Sequence, residues 1–177
     1  MPTVRGSSEK GSKKRYAGVV ATPDGLRLVF KGLENVRTDW TWLARRFQEE
    51  LYRRVFLEEP FEDYVREVTA RVLAGECDEQ LVYRKRLRRR LDEYQRNIPP
   101  HVQAARLYEE RGLVPPSRGS WVEYVITSAG AEPAEKPLAP LDYQHYVDRQ
   151  LEPVADGILG FVGTSFAQLA GKQIDLF

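Results

Sequence analysis

The hydrophobic pattern changes period near residue 40, and that change decides the fold class. Residues 14–21 and 26–31 are short β-prone runs, and Leu26, Leu28 and Phe30 alternate with Arg27, Val29 and Lys31. Alternation at period two separates an apolar from a polar face, as a strand does. Thr22-Pro23-Asp24-Gly25 stands between the runs. Proline presets φ and glycine accepts positive φ, so the two runs form a β-hairpin around a tight turn. Trp40, Leu43, Ala44, Phe47, Leu51 and Val55 then recur at three- and four-residue steps. That is one face of a helix, with Asp39 in the N-cap place. Beyond Pro60, Phe61, Tyr64, Val65, Val68 and Val72 make a second helical stripe that ends near Gly75. The chain therefore reads as α+β and mostly helical: an N-terminal β-hairpin followed by a helical domain with a short β element.

The later segments fit that reading. Residues 78–98 are charged and connecting, partly helical in pattern, and Pro99-Pro100 ends them. A helix is predicted near 101–111, with Val102, Ala105 and Leu107 inward and a stop at Gly112. Residues 121–127 alternate as a strand, and 128–140, with three prolines, read as a loop. Residues 141–159 read as a helix kinked or restarted at Pro153, with a last short helix near 163–170. Residues 1–12 show no periodicity and read as a mobile start.

Charge is distributed unevenly. The net charge is +1, but residues 84–106 carry eight Lys/Arg against Asp92 and Glu93, while 128–177 carry seven acids against three bases. Residues 1–31 carry seven bases against Glu9 and Asp24. Such a chain can present a basic surface to a polyanion on one side. No apolar run approaches the ~20 residues of a membrane span, and no secretory leader is visible at the start. One cysteine, Cys77, precludes an internal disulfide and suits a reducing cytoplasm. Two histidines and one cysteine, far apart, do not suggest zinc.

Three segments are candidates for function. In Lys13-Lys14-Arg15-Tyr16, at the opening of the first strand, Lys14 and Tyr16 share one face and Lys13 and Arg15 the other. This arrangement suits a nucleic-acid groove, or a solvated basic edge that blocks aggregation. The run 84–90 has six charges in seven residues around Leu87. Arginine there suits bidentate phosphate contacts. The alternative is a solvated face paired with Glu49, Glu50, Glu58 and Glu59. Gln173-Ile174-Asp175-Leu176-Phe177 has the form of a bacterial sliding-clamp-binding peptide: Gln173 for the rim of a groove, Leu176 and Phe177 for its pocket. The alternative is packing of Phe177 against a helix cluster. The carboxylate pairs lie in amphipathic helices, and no nucleophilic triad, phosphate loop or dinucleotide fingerprint appears. No catalytic or metal residue is therefore assigned.

Together these motifs resemble the family B DNA polymerases of the bacterial polymerase II type. Lys13-Lys14-Arg15-Tyr16-Ala17-Gly18 is similar to the family's KKRY-type motif, and Lys31-Gly32-Leu33-Glu34 with Val36-Arg37-Thr38-Asp39-Trp40 resembles the segment where palm gives way to thumb. Leu81-Val82-Tyr83-Arg84-Lys85-Arg86-Leu87, Tyr94-Gln95-Arg96, Pro99-Pro100-His101-Val102 and Leu141-Asp142-Tyr143-Gln144-His145-Tyr146 resemble the thumb. Arg90 stands where the family tends to have proline, and 108–120 is short against its pattern. The resemblance divides the chain into a palm-edge hairpin (1–38), a helical thumb (39–170) and a clamp-binding tail (171–177). It implies DNA contacts for Lys13, Lys14, Arg15, Tyr16, Lys31, Arg84, Lys85, Arg86, Arg88, Arg89 and His101. It places Gly32, Glu34 and Arg37 at the palm–thumb junction and gives clamp binding to Gln173, Leu176 and Phe177.

The implied partners are primer–template DNA, the sliding clamp and the N-terminal, exonuclease and palm/fingers portions of a polymerase, in a bacterial cytoplasm without a membrane. The implied activity is DNA-directed DNA synthesis in replication and repair. Mg²⁺ and dNTPs would be used by the full enzyme and none would be bound by this chain, because the catalytic carboxylates lie upstream in the family. The beginning, Met1-Pro2-Thr3-Val4-Arg5-Gly6, resembles an internal stretch of such an enzyme. A free-standing clamp-tethered DNA-binding accessory and an inactive truncation product are the alternatives at this point.

Overall fold

The computed structural model describes residues 4–5, 16–31 and 40–171. A first antiparallel sheet contains β1 (Val4–Arg5), β2 (Tyr16–Thr22) and β3 (Gly25–Lys31) in that order. Thr22 pairs with Gly25, so Pro23 and Asp24 alone form the loop. The Thr22 hydroxyl donates to the Gly25 carbonyl at 2.7 Å, and Gly25 takes φ 123°, which its missing Cβ permits. Leu26, Leu28 and Phe30 pair with Ala21, Val19 and Ala17. Val4 and Arg5 pair with Ala17 and Tyr16. The expectation of a mobile start is therefore corrected at these two residues. They supply partners to backbone groups on the outer edge of β2, and a two-residue strand has no periodicity to read.

The second body begins with α1 (Trp42–Phe56). Thr41 caps it, accepting from the Ala44 N–H at 3.3 Å, so the cap lies two residues beyond the expected Asp39. Leu43, Ala44, Phe47 and Leu51 are buried, as their spacing predicts, and Trp40 is buried just ahead of the helix. α2 (Glu62–Leu73) buries Val65, Val68 and Val72. It stops before Gly75, which adopts φ 77°. A Cβ on Gly75 would come within 2.8 Å of the Tyr143 hydroxyl, so this position needs glycine for both conformation and space.

The 141–159 region is not one helix. α4 (Tyr143–Tyr146) runs into a π-helical turn, Val147–Leu151, and then α5 (Glu152–Leu159). The break precedes Pro153, which sits in the first turn of α5, where its missing N–H costs little. The widened turn brings Gln150 inward. Its carbonyl oxygen accepts from the Thr41 N–H at 3.0 Å and the Thr41 hydroxyl at 2.9 Å. α6 (Phe166–Gly171) follows. α1 packs on α5 and α2 on α6, with Val154, Ile158, Leu159, Phe166 and Leu169 completing the helical core.

A second antiparallel sheet has β4 (Tyr83–Arg86), β5 (Trp121–Thr127) and β6 (Gly130–Pro133) in that order. α3 (Pro100–Leu107) packs across β5 and β6. Two expectations change here. The 78–98 segment contains an edge strand, and the 128–140 loop begins with a strand. Three of the four β4 residues are charged, and Glu132 of β6 is buried, so neither strand shows an apolar alternation. Tyr83 ties this sheet to the helices. Its ring stacks on Tyr124 at 5.2 Å and on Tyr146 at 5.5 Å, within one continuous core.

Candidate nucleic-acid interface

The run 84–90 is held between two buried anchors. Tyr83 and Leu87 point into the core, whereas Arg84, Lys85, Arg86, Arg88, Arg89 and Arg90 are all exposed. Pairing continues past β4: the Leu87 N–H donates to Ser120 O at 2.8 Å and the Gly119 N–H to Leu87 O at 2.7 Å. Side chains alternate across the sheet, so Arg84 and Arg86 share the outer face with their cross-strand partners Glu123 and Trp121. Their guanidinium groups lie over the Trp121 ring at 4.4 and 5.1 Å. Such cation–π contacts order both groups without neutralising them.

Local acids do little to cancel this charge. Arg84 meets Glu123 at 3.6 Å and Arg90 meets Asp92 at 3.1 Å, with all four side chains more than half exposed. Pairs of this kind contribute roughly 0–1 kcal/mol in water. Among the described residues no carboxylate forms an ion pair with Lys85, Arg86, Arg88 or Arg89. Two acids of the first helix and its following turn, Glu50 and Glu59, have other partners. Glu50 lies 2.9 Å from Arg53 and 2.8 Å from Arg54, and Glu59 lies 2.8 Å from Arg53. The hydrogen bond from Arg53, chiefly, holds the Glu50 carboxyl below its ordinary value. The basic run is therefore a presented surface and not one face of a salt-bridge lattice.

The backbone after the run is clamped from beneath. The Arg89 N–H donates to the Tyr94 hydroxyl at 3.2 Å, and the Arg90 N–H donates to the Glu93 carboxylate at 3.3 Å. Arg106 of α3 donates to the carbonyls of Tyr94 at 2.6 Å and Leu91 at 3.2 Å. His101, an expected DNA contact, is only 5% exposed and packs edge-on to Tyr94. Burial, then the charge of Lys85, holds its imidazole below the usual histidine pKa. His101 thus sits inside the fold, packed against the Tyr94 ring beneath the basic segment.

Of the other expected site residues, Tyr16 and Lys31 face each other as the first rung of the β2–β3 pairing. Lys13, Lys14, Arg15, Gly32, Glu34, Arg37, Gln173, Leu176 and Phe177 lie outside the described residues. The structure adds two exposed tryptophans that the sequence reading passed over, Trp42 and Trp121. Trp42 falls off the apolar stripe of α1. Trp121 falls on the polar set of the 121–127 alternation, beside Glu123. An aromatic residue on the wet side of its element was the available signal. Among the described residues, no group of three or more His, Cys, Asp or Glu side chains is placed to hold a metal ion.

Comparison with known proteins gives a consistent picture. Residues 11–159 match the model of DNA polymerase family B. DNA polymerase II of Escherichia coli is 56% identical over 183 residues, which cover 100% of this chain and 23% of that protein. DNA polymerase 2 of Aeropyrum pernix is 34% identical over 173 residues, covering 90% of this chain and 21% of that one. Among solved structures, the family B DNA polymerase of Pyrobaculum calidifontis superposes with a TM-score of 0.68 at 30% identity, over 88% of this chain and 21% of that one. The chain thus spans about a quarter of the length of the curated relatives it matches.

Proposed function

The chain belongs to DNA polymerase family B, of the bacterial polymerase II type, and from that premise we propose that its helical body is a polymerase thumb that grips primer–template duplex through the phosphate backbone. The observation that carries this reading is the exposed run Arg84, Lys85, Arg86, Arg88 and Arg89, set about the buried anchors Tyr83 and Leu87, in which, among the described residues, only Arg84 meets a carboxylate, at 3.6 Å and in solvent. Arg84 and Arg86 are oriented on the Trp121 ring, and guanidinium groups suit bidentate phosphate contact that carries no preference for sequence. In this reading residues 1–38 are a palm edge whose Lys13, Lys14, Arg15, Tyr16 and Lys31 also meet DNA. Gly32, Glu34 and Arg37 form the junction, and Gln173, Leu176 and Phe177 dock on the sliding clamp.

The proposed activity of the complete enzyme is template-directed nucleotidyl transfer. Mg²⁺, which the family implies, would supply charge stabilisation on the transferring phosphoryl group. The described residues do not fit that ion, since no cluster of candidate ligands is formed among them. No step is therefore assigned to this chain, and it is expected to bind DNA without extending it. Incorporation of dNTPs into a primer by the purified chain in Mg²⁺ would contradict that expectation.

The test of the thumb reading is fluorescence anisotropy with a labelled primer–template at several salt concentrations. Micromolar or tighter binding is expected, independent of sequence. Charge reversal at Arg86 and Arg89, as Arg86→Glu and Arg89→Glu, should weaken binding equally on all sequences. Unchanged binding would reduce the basic row to a solvated surface.

A further inference from the structure

All three tryptophans of the chain line one cleft. Its volume is about 450 Å³, and Arg45, Arg84 and Glu123 share its walls with Trp40, Trp42 and Trp121. Trp40 is buried and forms the base, whereas Trp42 is 65% exposed and Trp121 is 42% exposed. Soluble surfaces seldom leave an indole this open, and here two are open in the same depression.

The two rings stand in different chemical settings. Trp121 carries Arg84 and Arg86 against its face, as described above. Trp42, the first residue of α1, makes no ring contact or cation–π contact among the described residues. The cleft thus offers one open aromatic surface beside two oriented guanidinium groups. Glu123, the only carboxylate among the described lining residues, is engaged with Arg84. A depression lined by tryptophans and by Arg45 and Arg84 against one carboxylate suits a polyanion that also carries flat rings. A buried base pair presents no free ring face, whereas an unpaired base does.

We propose that this cleft binds unpaired DNA, with a base stacked on Trp42 and the flanking phosphates on Arg84 and Arg86. This site lies beside the duplex-gripping row and rests on that reading only for the arginines being DNA contacts; the stacking itself does not need the duplex. Stacking on an aromatic side chain is tolerant of base identity, so little preference among bases is expected. In a DNA-binding body such a site would retain a strand where pairing is lost next to the gripped duplex.

The test uses the full chain, labelled oligo-dT and a blunt duplex of equal length. Oligo-dT should quench the intrinsic tryptophan fluorescence. Trp42→Ala should weaken oligo-dT binding about tenfold or more, while Trp42→Phe should retain most of it, because a phenyl ring still stacks. Blunt-duplex binding should stay within about twofold for both variants if phosphate contacts dominate it. Two outcomes would overturn the proposal. Oligo-dT binding indifferent to Trp42 would make the cleft a protein-packing surface. Equal losses on oligo-dT and duplex would make Trp42 part of the duplex grip. Oligo-dT binding that needs Trp42, with no duplex binding at any salt, would sink the thumb reading and leave this site standing. Far-ultraviolet circular dichroism of each variant separates lost stacking from lost fold.

Discussion

Glu132 shows how one buried carboxylate ties the far edge of the second sheet to the segments around it. It is buried on β6, and its carboxylate meets Arg111 at 2.8 Å. The same carboxylate accepts from the Leu138 and Ala139 N–H groups, each at 3.1 Å. Burial alone would raise its pKa, but Thr127, the Leu138 N–H, Arg111 and the Ala139 N–H together bring it down to about 2. Removing one partner of a buried pair leaves the other uncompensated, at a cost of roughly 3–5 kcal/mol. Glu132→Gln is therefore expected to lower the urea midpoint strongly, and a loss near zero would show that Arg111 finds water instead. The sign in pH follows. The folded carboxyl titrates below the unfolded one, so its contribution is fully present above the ordinary value near 4.5 and is lost as pH falls towards about 2. The wild type should destabilise across that acid range, and the Glu132→Gln profile should be flatter there.

At the scale of elements, the Tyr83 junction joins the basic strand to the helices. The Gln150 amide donates to the Tyr83 hydroxyl at 3.1 Å, and that hydroxyl lies 2.9 Å from His145 Nε2. With Gln150 donating to it, the Tyr83 hydroxyl can donate its own hydrogen bond to His145 only if Nε2 carries no hydrogen. Burial, against the pull of Asp142, likewise holds the His145 pKa below the ordinary value. His101 is shifted in the same direction. A lowered folded pKa means that the unfolded chain binds protons first. Stability should thus be constant above about pH 6.5 and fall as pH drops from there to the lowered folded values. Chemical denaturation at pH 7.5 and 5.5 would show the drop, and His145→Gln should reduce it; an unchanged drop would place its origin elsewhere.

The same junction marks what a sequence can reveal. The stripes of α1 and α2 and the 22–25 turn were legible, because each repeats a period or fills a conformational requirement. β4 was not, since its outward charges hide the alternation and only Tyr83 and Leu87 show it. The π turn at Val147–Leu151 was not legible either. Pro153 suggested a break, but the break exists to bring Gln150 to Thr41 and Tyr83, a contact 109 and 67 residues away in the chain. The basic run was visible as composition. Its freedom from acidic partners was not, because only the fold shows that Glu50 and Glu59 belong to Arg53 and Arg54.

For the whole molecule, the question is whether grip and tether are separable. The charge of the proposed grip is local, so the net charge of +1 does not predict its strength. If about four to six phosphates are neutralised, log K should fall with log salt at a slope between about −4 and −5. The double charge reversal at Arg86 and Arg89 should make that slope shallower by about two, since each lost phosphate contact removes close to one unit. The proposed tether works by other physics: Leu176 and Phe177 would enter an apolar pocket, an interaction that salt scarcely weakens. Deleting residues 173–177 should therefore abolish binding to a bacterial sliding clamp and leave the duplex slope untouched. Surface plasmon resonance on immobilised clamp would decide it. Clamp affinity surviving the deletion would move the tether elsewhere, and a slope altered by the deletion would tie the tail to the grip. If both behave as argued, the chain holds the duplex by charge and the clamp by apolar contact, and a salt concentration that releases DNA would leave it on the clamp.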